Sequence, residues 1–284
     1  MNKLIILFLS IMSLFVVACS DDDNKSESIT PFGFEKNYYE IRLGRDHTSI
    51  SITNGSGDIS LAIEDEEILK ALYSKCNDKE DNRKGYIDLY GLQKGATTLT
   101  ITDNVTKDVE TVEVKVTDCY LAYAIAHSNH PVLETGTILF LVNNQTRDYY
   151  LFTEDNIYNR PLVKGSSDFF VTFDSGIGPS PRLHAIPNLR LTYPSDDDGN
   201  LANSNITATP HDFQIELWGE NASSSYVLEA IQAYLGVDWI ELAGNALTKS
   251  VAPIDMTMIM TVPNTAYQIT GVLSTVSIPE HVLD

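Results

Sequence analysis

Apolar and polar side chains alternate through most of the chain between about residues 30 and 118. The alternation runs through residues 39–43, 48–52, 59–63, 85–90, 97–102 and 111–116, and turn-forming sequences such as Asn54–Asp58 separate these stretches. A period of two places successive side chains on opposite faces of a strand, and short strands joined by regular turns are typical of a sandwich. We therefore predict a β-sandwich over residues 30–118.

The pattern changes from Cys119 onward, where we place a second domain at residues 119–284. Residues 121–126 and 137–142 are continuously apolar, as strands buried on both faces are. Further strands are predicted at residues 149–153, 169–173, 189–193, 213–218, 256–262 and 268–278.

One helix is predicted in this half, from Ser223 to Leu235. Ser223 or Ser224 is a suitable N-cap, apolar residues recur at helical spacing, and Gly236 ends the pattern. The fold class is thus mostly β: an N-terminal sandwich followed by a β-rich α+β domain with one amphipathic helix. Because the helix needs a sheet within its own domain, we expect residues 119–284 to fold alone and to contain the ligand site.

A turn and two strands indicate which type of sandwich residues 30–118 form. Gly91-Leu92-Gln93-Lys94-Gly95 precedes the threonine-rich strand at residues 97–102, and Val112, Val114 and Val116 alternate near the end of the segment. These residues resemble the bacterial immunoglobulin-like domain of the group 2 type. The polar stretch Leu69–Arg83 departs from that family, which has a short hairpin there. The resemblance implies a spacer or adhesive module.

The N-terminus combines Lys3 with an apolar stretch ending at Val17, which is the length of a signal peptide rather than of a membrane span. Ala18-Cys19 follows, and it resembles the end of a bacterial lipobox, with Val16 where that motif more often has Leu. The resemblance implies removal of residues 1–18 and acylation of Cys19, for example with palmitate. Two or more acyl chains make a lasting anchor. An ordinary secretory signal with a chance cysteine is the alternative.

Residues 19–29 form a polar, acidic tether that includes Asp21, Asp22 and Asp23. The run resembles the export signal that follows the cysteine in surface lipoproteins of the Bacteroidota. The resemblance implies lipid anchoring in the outer membrane with exposure at the cell surface. Attachment facing the periplasm is the alternative.

The charge of the chain narrows the choice of partners. With 39 acidic and 19 basic residues, the formal net charge is −20. An acid excess of this size opposes binding to nucleic acid. The expected partners are the membrane, through the lipid anchor, and a glycan or a surface protein.

Two cysteines remain besides Cys19. If exported, Cys76 and Cys119 lie outside the cytoplasm, where a disulfide can persist. The sequence leaves open whether they pair or are two unpaired thiols, buried as small apolar groups.

The search for catalytic or metal-binding motifs yields little. His127 and His130 could present two imidazoles, but a metal site needs three or four ligands. Asp196, Asp198 and Asn200 lack the spacing of a calcium loop, and no Gly-x-Ser-x-Gly elbow occurs. We predict no metal site and no cofactor, and the catalytic residues of any enzyme here stay unassigned.

Aromatic residues beside turns are the candidate ligand contacts. Trp239 and Tyr158 are the exposed candidates, whereas Trp218 ends an alternating strand and is expected to pack in the core. We predict a non-catalytic binding or adhesion module for a surface glycan or protein. The alternatives are a cell-surface glycan hydrolase and an accessory or structural subunit of a surface complex.

Overall fold

The computed structural model describes residues 29–34, 36–44, 47–76, 83–156, 160–175, 183–197, 199–202, 206–216, 224–244 and 257–283. Seven strands make up its first half: β1 Tyr38–Arg42, β2 His47–Ile52, β3 Ile59–Ile63, β4 Leu69–Lys75, β5 Gly85–Gly91, β6 Gly95–Asp103 and β7 Val109–Thr117. They form two sheets, with strand orders β1-β7-β6-β3 and β2-β5-β4. The two sheets enclose one apolar core, so the predicted immunoglobulin-like sandwich is confirmed.

Alternation along the strands builds this core. Along β5, Ile87 and Leu89 are completely buried, whereas the alternate residues Tyr86, Asp88 and Tyr90 are half-buried. Leu99 and Ile101 of β6 face them from the other sheet and are equally buried. Leu69–Lys75, which departs from the resembled family, forms strand β4 against β5 rather than an irregular insertion.

The second half is a closed barrel of eight strands: β8 Tyr120–Ser128, β9 Thr137–Val142, β10 Asp148–Thr153, β11 Val163–Ser175, β12 Leu183–Tyr193, β13 Thr209–Glu216, β14 Thr257–Thr261 and β15 Gln268–Ser274. Each strand pairs antiparallel with the next in sequence, and β15 pairs with β8 to close the barrel. The predicted β-rich domain with a helix is confirmed. The predicted strand at residues 268–278 ends at Ser274.

Among the described residues, two α-helices accompany the barrel strands, besides one 3-10 turn at Glu154–Asn156. Helix α1 covers Ser224–Leu235 and ends at Gly236, whose φ of 66° is a left-handed conformation that glycine adopts without strain. Helix α2 is the short segment Trp239–Leu242. Val227, Ile231 and Leu235 of α1 are buried in the same apolar cluster as the inward-facing side chains of the strands.

The barrel interior is filled by side chains, as an eight-stranded barrel allows. Tyr123, Tyr149, Tyr193 and Phe213 are among the largest fully buried residues of the described chain. They belong to one cluster that also includes Trp239.

The outer face of β8, β9 and β10 is also buried. Its apolar side chains form a second cluster with Ile278 and Leu283, which belong to the segment that follows β15. We call residues 275–283 the C-terminal strap. Burial on both faces explains why residues 121–126 and 137–142 read as continuous apolar runs.

Two tyrosines inside the barrel lie across glycines of neighbouring strands. The Tyr149 ring passes over Gly165, and the Tyr123 ring passes over Gly271. The Tyr123 hydroxyl then donates a hydrogen bond to the Met258 carbonyl at 2.7 Å. A Cβ atom at Gly271 would lie 2.2 Å from the carbonyl oxygen of Ala124 and 2.8 Å from the Tyr123 ring. The absence of a side chain is therefore required at this position.

Replacing Gly271 by Ala should lower the free energy of unfolding by about 1–3 kcal/mol or more, because the added methyl overpacks the barrel wall. Gly33→Ala is the matched control, since a Cβ there meets no atom within 4 Å and φ is not in the left-handed range. Urea denaturation of both variants measures the difference. Equal midpoints for the two variants would contradict this account of the barrel wall.

Candidate functional site

Trp239 is a core residue, and the expectation that it is exposed is wrong. Its side chain is buried with 3% exposure, its indole N–H donates to the Leu228 carbonyl at 3.1 Å, and its ring meets Phe169 edge-on at 5.6 Å. The preceding turn does not expose it, because Asp238 caps α2 and directs the helix onto the barrel core. Tyr158 and Trp218 lie outside the described residues.

The cysteines give one finding and one open prediction. No disulfide joins Cys76, which follows β4, to Cys119, which lies between β7 and β8. The pairing alternative is therefore wrong, and both thiols are partly buried. Cys19 lies outside the described residues, so its acylation stays a prediction.

The two histidines considered for metal binding differ in their exposure to solvent. His127 is exposed at the end of β8, whereas His130 is buried in the following loop. Within the described ranges, no group of three or more His, Cys, Asp or Glu side chains is placed to hold a metal ion.

His130 organises its own loop. Its Nδ1 atom accepts hydrogen bonds from the backbone N–H groups of Val132 (3.1 Å) and Leu133 (3.0 Å). Its ring lies edge-on to Phe213 and Tyr267. Burial, assisted by the nearby His211 imidazole, lowers the pKa of His130 to about 4. The neutral ring is therefore the form that this loop requires.

The junction between sandwich and barrel contains two adjoining hollows of about 420 and 710 Å³. We call them together the junction cleft. Both halves of the chain line it, and the two hollows share the residues Glu40, Ile41, Arg42, Thr48, Tyr120 and Ser277. Hydroxyl groups and tyrosine rings are prominent in the wall, which also includes Tyr39 and Tyr234.

Arg42 of the sandwich lies between two tyrosines of the barrel domain. Its guanidinium carbon is 4.8 Å from the ring centroid of Tyr120 and 5.4 Å from that of Tyr234, and it donates to the Tyr120 carbonyl at 3.2 Å. Each contact between the cation and a ring is worth about 0.5–2 kcal/mol, depending on desolvation. Burial raises the pKa of Tyr120, which keeps its hydroxyl protonated.

The C-terminal strap supplies the other wall. Glu40, with a side chain 8% exposed, accepts hydrogen bonds from the Tyr38 hydroxyl at 2.6 Å and from the His281 backbone N–H at 2.9 Å. Lys36 and Glu280 form an ion pair at 2.9 Å. The charged groups of the cleft thus hold the strap against the sandwich.

The sequence does not single out the charged residues of the cleft as a site. Glu40 and Arg42 occupy the polar positions of an alternating strand, which is also the pattern of an ordinary solvated face. Tyr234 follows the helical spacing of apolar residues between Ser223 and Leu235, which indicates packing rather than a site. Only the folded arrangement brings these residues together.

The structure contains no helix, among the residues it describes, with the length and apolar character needed to cross a bilayer.

Comparisons with known proteins identify no family. No family model matches the chain, and no curated protein matches it. Three solved structures show weak similarity, each at 10% sequence identity. The match to the S-layer protein rSbsC(31-844) covers 65% of this chain and 24% of that protein, with a TM-score of 0.28, and the match to domains 5–6 of the S-layer protein SbsC covers 66% of this chain and 96% of that one, with a TM-score of 0.26. The match to protocadherin gamma B7 extracellular cadherin domains 1–4 covers 87% of this chain and 68% of that protein, with a TM-score of 0.23. Scores this low establish no relationship, and the immunoglobulin-like assignment rests on the two sheets of the sandwich itself.

Protonation of His130 should destabilise the fold below neutral pH. The unfolded chain binds this proton near pH 6.5 and the folded chain only near pH 4, so stability is fully present above pH 6.5 and falls as the pH drops from 6.5 to 4. The loss amounts to at most about 3 kcal/mol. In His130→Asn, the amide oxygen can accept the same two N–H groups and does not titrate, so the pH dependence should be smaller.

Urea denaturation at pH 7.0, 5.5 and 4.5 measures this effect as the difference between wild type and variant. His127→Asn is the control, because His127 is exposed at the end of β8, whereas His130 is buried and accepts the two loop N–H groups. A wild-type pH profile that persists unchanged in His130→Asn would rule out the assignment.

Proposed function

We propose that this protein is a lipid-anchored, non-catalytic binding protein of the bacterial cell surface that holds a glycan in the junction cleft. The observation that carries the proposal is the cleft itself, in which tyrosine rings, hydroxyl groups and internally balanced charges from two domains meet. Ligand sites occur preferentially at domain interfaces, with an aromatic lining and a few placed polar groups.

The chemistry of the cleft favours a sugar over a charged ligand. Lys36 is paired with Glu280, and Glu40 accepts hydrogen bonds from the Tyr38 hydroxyl of the sandwich and the His281 N–H of the strap, so these charges already have partners inside the protein. Thr48 and Ser277 offer hydroxyl groups. The half-buried Tyr39, which also packs against the sandwich core, adds aromatic surface to the wall of the larger hollow for contact with a sugar ring.

The same arrangement favours binding over catalysis. A general acid or base must be able to exchange protons with the substrate. Glu40 and Glu280 instead serve as acceptors that connect sandwich and strap. We therefore assign them to holding the site together.

The location is proposed from the N-terminal sequence. Cys19 after Ala18 resembles a lipobox, and the acidic tether resembles the surface-export signal of Bacteroidota lipoproteins. The sandwich then acts as a spacer that raises the barrel and the cleft above the bilayer. In this proposal both domains contribute to the ligand site, because both line the junction cleft, whereas the sequence suggests residues 119–284 alone.

Acylation at Cys19 is tested by growing cells with an alkyne-labelled palmitate and detecting label on the purified protein. Wild type and Cys76→Ser should carry the label, and Cys19→Ser should not. Protease treatment of intact cells should also degrade the wild-type protein. Label that persists in Cys19→Ser would refute the anchor, and a protein shaved only after lysis would refute surface exposure.

Glycan binding is tested on an array of neutral and acidic oligosaccharides with the mature chain. Tyr39→Ala and Tyr234→Ala should weaken binding of retained glycans about tenfold or more, because each removes a ring from the cleft wall. Tyr86→Ala is the matched control, a half-buried tyrosine of β5 that does not line the cleft. Circular dichroism verifies that each variant is folded. No retained glycan, or equal weakening in all three variants, would overturn the proposal.

A further inference from the structure

Another cleft, of about 680 Å³, lies where the turn between β5 and β6 approaches the turn between β9 and β10. We call it the basic cleft. Its lining consists of Lys94, Asp118, Asn143, Asn144, Gln145, Thr146, Arg147, Asp148, Tyr150, Lys164 and Leu283. It shares no residue with the junction cleft, so it is a separate feature of the molecule.

Cations outnumber anions in this lining. Lys94, Arg147 and Lys164 face Asp118 and Asp148, which leaves one net positive charge in a protein whose formal net charge is −20. The side-chain amide of Gln145 supplies further hydrogen-bond donors, whereas the Asn143 backbone N–H and the Asn144 side-chain amide already donate to the Cys119 carbonyl and to Asp148. A positive concavity with amide donors is the arrangement that binds an oxyanion.

Two of the three cations, Arg147 and Lys164, form no direct ion pair with a carboxylate among the described residues. Arg147 donates to the side-chain oxygen of Asn143 at 3.0 Å and to the carbonyl of Leu235, the last residue of α1. The Lys164 ammonium lies 5.1 Å from the ring centroid of Tyr150. A hydrogen bond with Tyr150, and to a lesser degree the charge of Asp148, raises the pKa of Lys164.

The two carboxylates of the cleft have their own partners. Asp118 binds the Lys94 ammonium at 2.5 Å, and Asp148 accepts a hydrogen bond from the Asn144 side chain at 3.0 Å. Lys94 is 55% exposed and Asp118 only 16% exposed, so the ammonium is the more accessible member of that pair. An incoming anion meets Lys164 and Lys94 at the surface of the cleft.

We propose that the basic cleft is a binding site for an oxyanion, either the carboxylate of an acidic sugar or a phosphate group. Lys164 provides the principal charge, Lys94 assists it, and the side-chain amide of Gln145 orients the oxygens. Asp118 competes with the ligand for Lys94. This site is independent of the proposed glycan site in the junction cleft.

Isothermal titration calorimetry of the mature chain tests the site with three probes: trigalacturonate, inorganic phosphate, and a neutral trisaccharide as control. Trigalacturonate, phosphate or both should bind, more weakly at higher salt because exposed charges are screened. Lys164→Gln should weaken binding by about three- to tenfold, and Asp118→Asn should strengthen it by a similar factor. Lys70→Gln is the matched control, because Lys70 also lies over a tyrosine ring, that of Tyr90, but outside the cleft.

Opposite effects of the two cleft variants separate an electrostatic site from a structural role, in which both variants would weaken binding. Binding of one probe alone, with the expected response to both variants, identifies which oxyanion the site takes. Absence of binding by both anions, equal weakening by Lys70→Gln, or weaker binding by Asp118→Asn would overturn the proposal. Tyr39→Ala should leave anion binding unchanged, so failure of this site and failure of the junction cleft are distinguishable.

Discussion

Residues 120–125 of strand β8 are buried or half-buried on both faces, and much of the architecture follows from that constraint. Leu121 and Tyr123 point into the barrel, whereas Tyr120 and Ala122 point outward into a second apolar cluster. A backbone buried on both sides must have its hydrogen bonds satisfied along both edges. Pairing with β9 on one edge and β15 on the other satisfies them and closes the barrel.

The position of the C-terminal strap is a consequence of the same strand. The outer face of β8 to β10 is too apolar to be left in water, and Ile278 and Leu283 cover it. The Tyr120 hydroxyl accepts the Ile278 backbone N–H at 2.9 Å, which places the strap along the start of β8. From there the strap reaches the sandwich through Glu280.

The sandwich meets this surface with the polar face of β1. Tyr39 and Ile41 pack toward the sandwich core, so Tyr38, Glu40 and Arg42 lie on the other face of the strand. That face is not solvated as alternation suggests, because the barrel and the strap cover it. Its charges are satisfied by the Tyr120 carbonyl and by the strap, which makes the domain junction polar and leaves a cleft beside it.

Local pattern accounts for the sandwich strands and for α1, whose periods appear directly in the chain. Barrel closure did not follow from pattern, because the pairing of β15 with β8 joins residues about 150 positions apart. Trp239 illustrates the limit for single residues: turn residues beside it suggested exposure, yet the turn lies against the core. The sequence by itself determined most of the strands, helix α1, the acid excess and the lipobox resemblance, since these depend on neighbours in the chain, but it missed strand β4 and the short helix α2. Only the tertiary structure decided the two clefts, because Arg42 with Tyr120 and Lys94 with Lys164 meet through packing between domains, which no local period records.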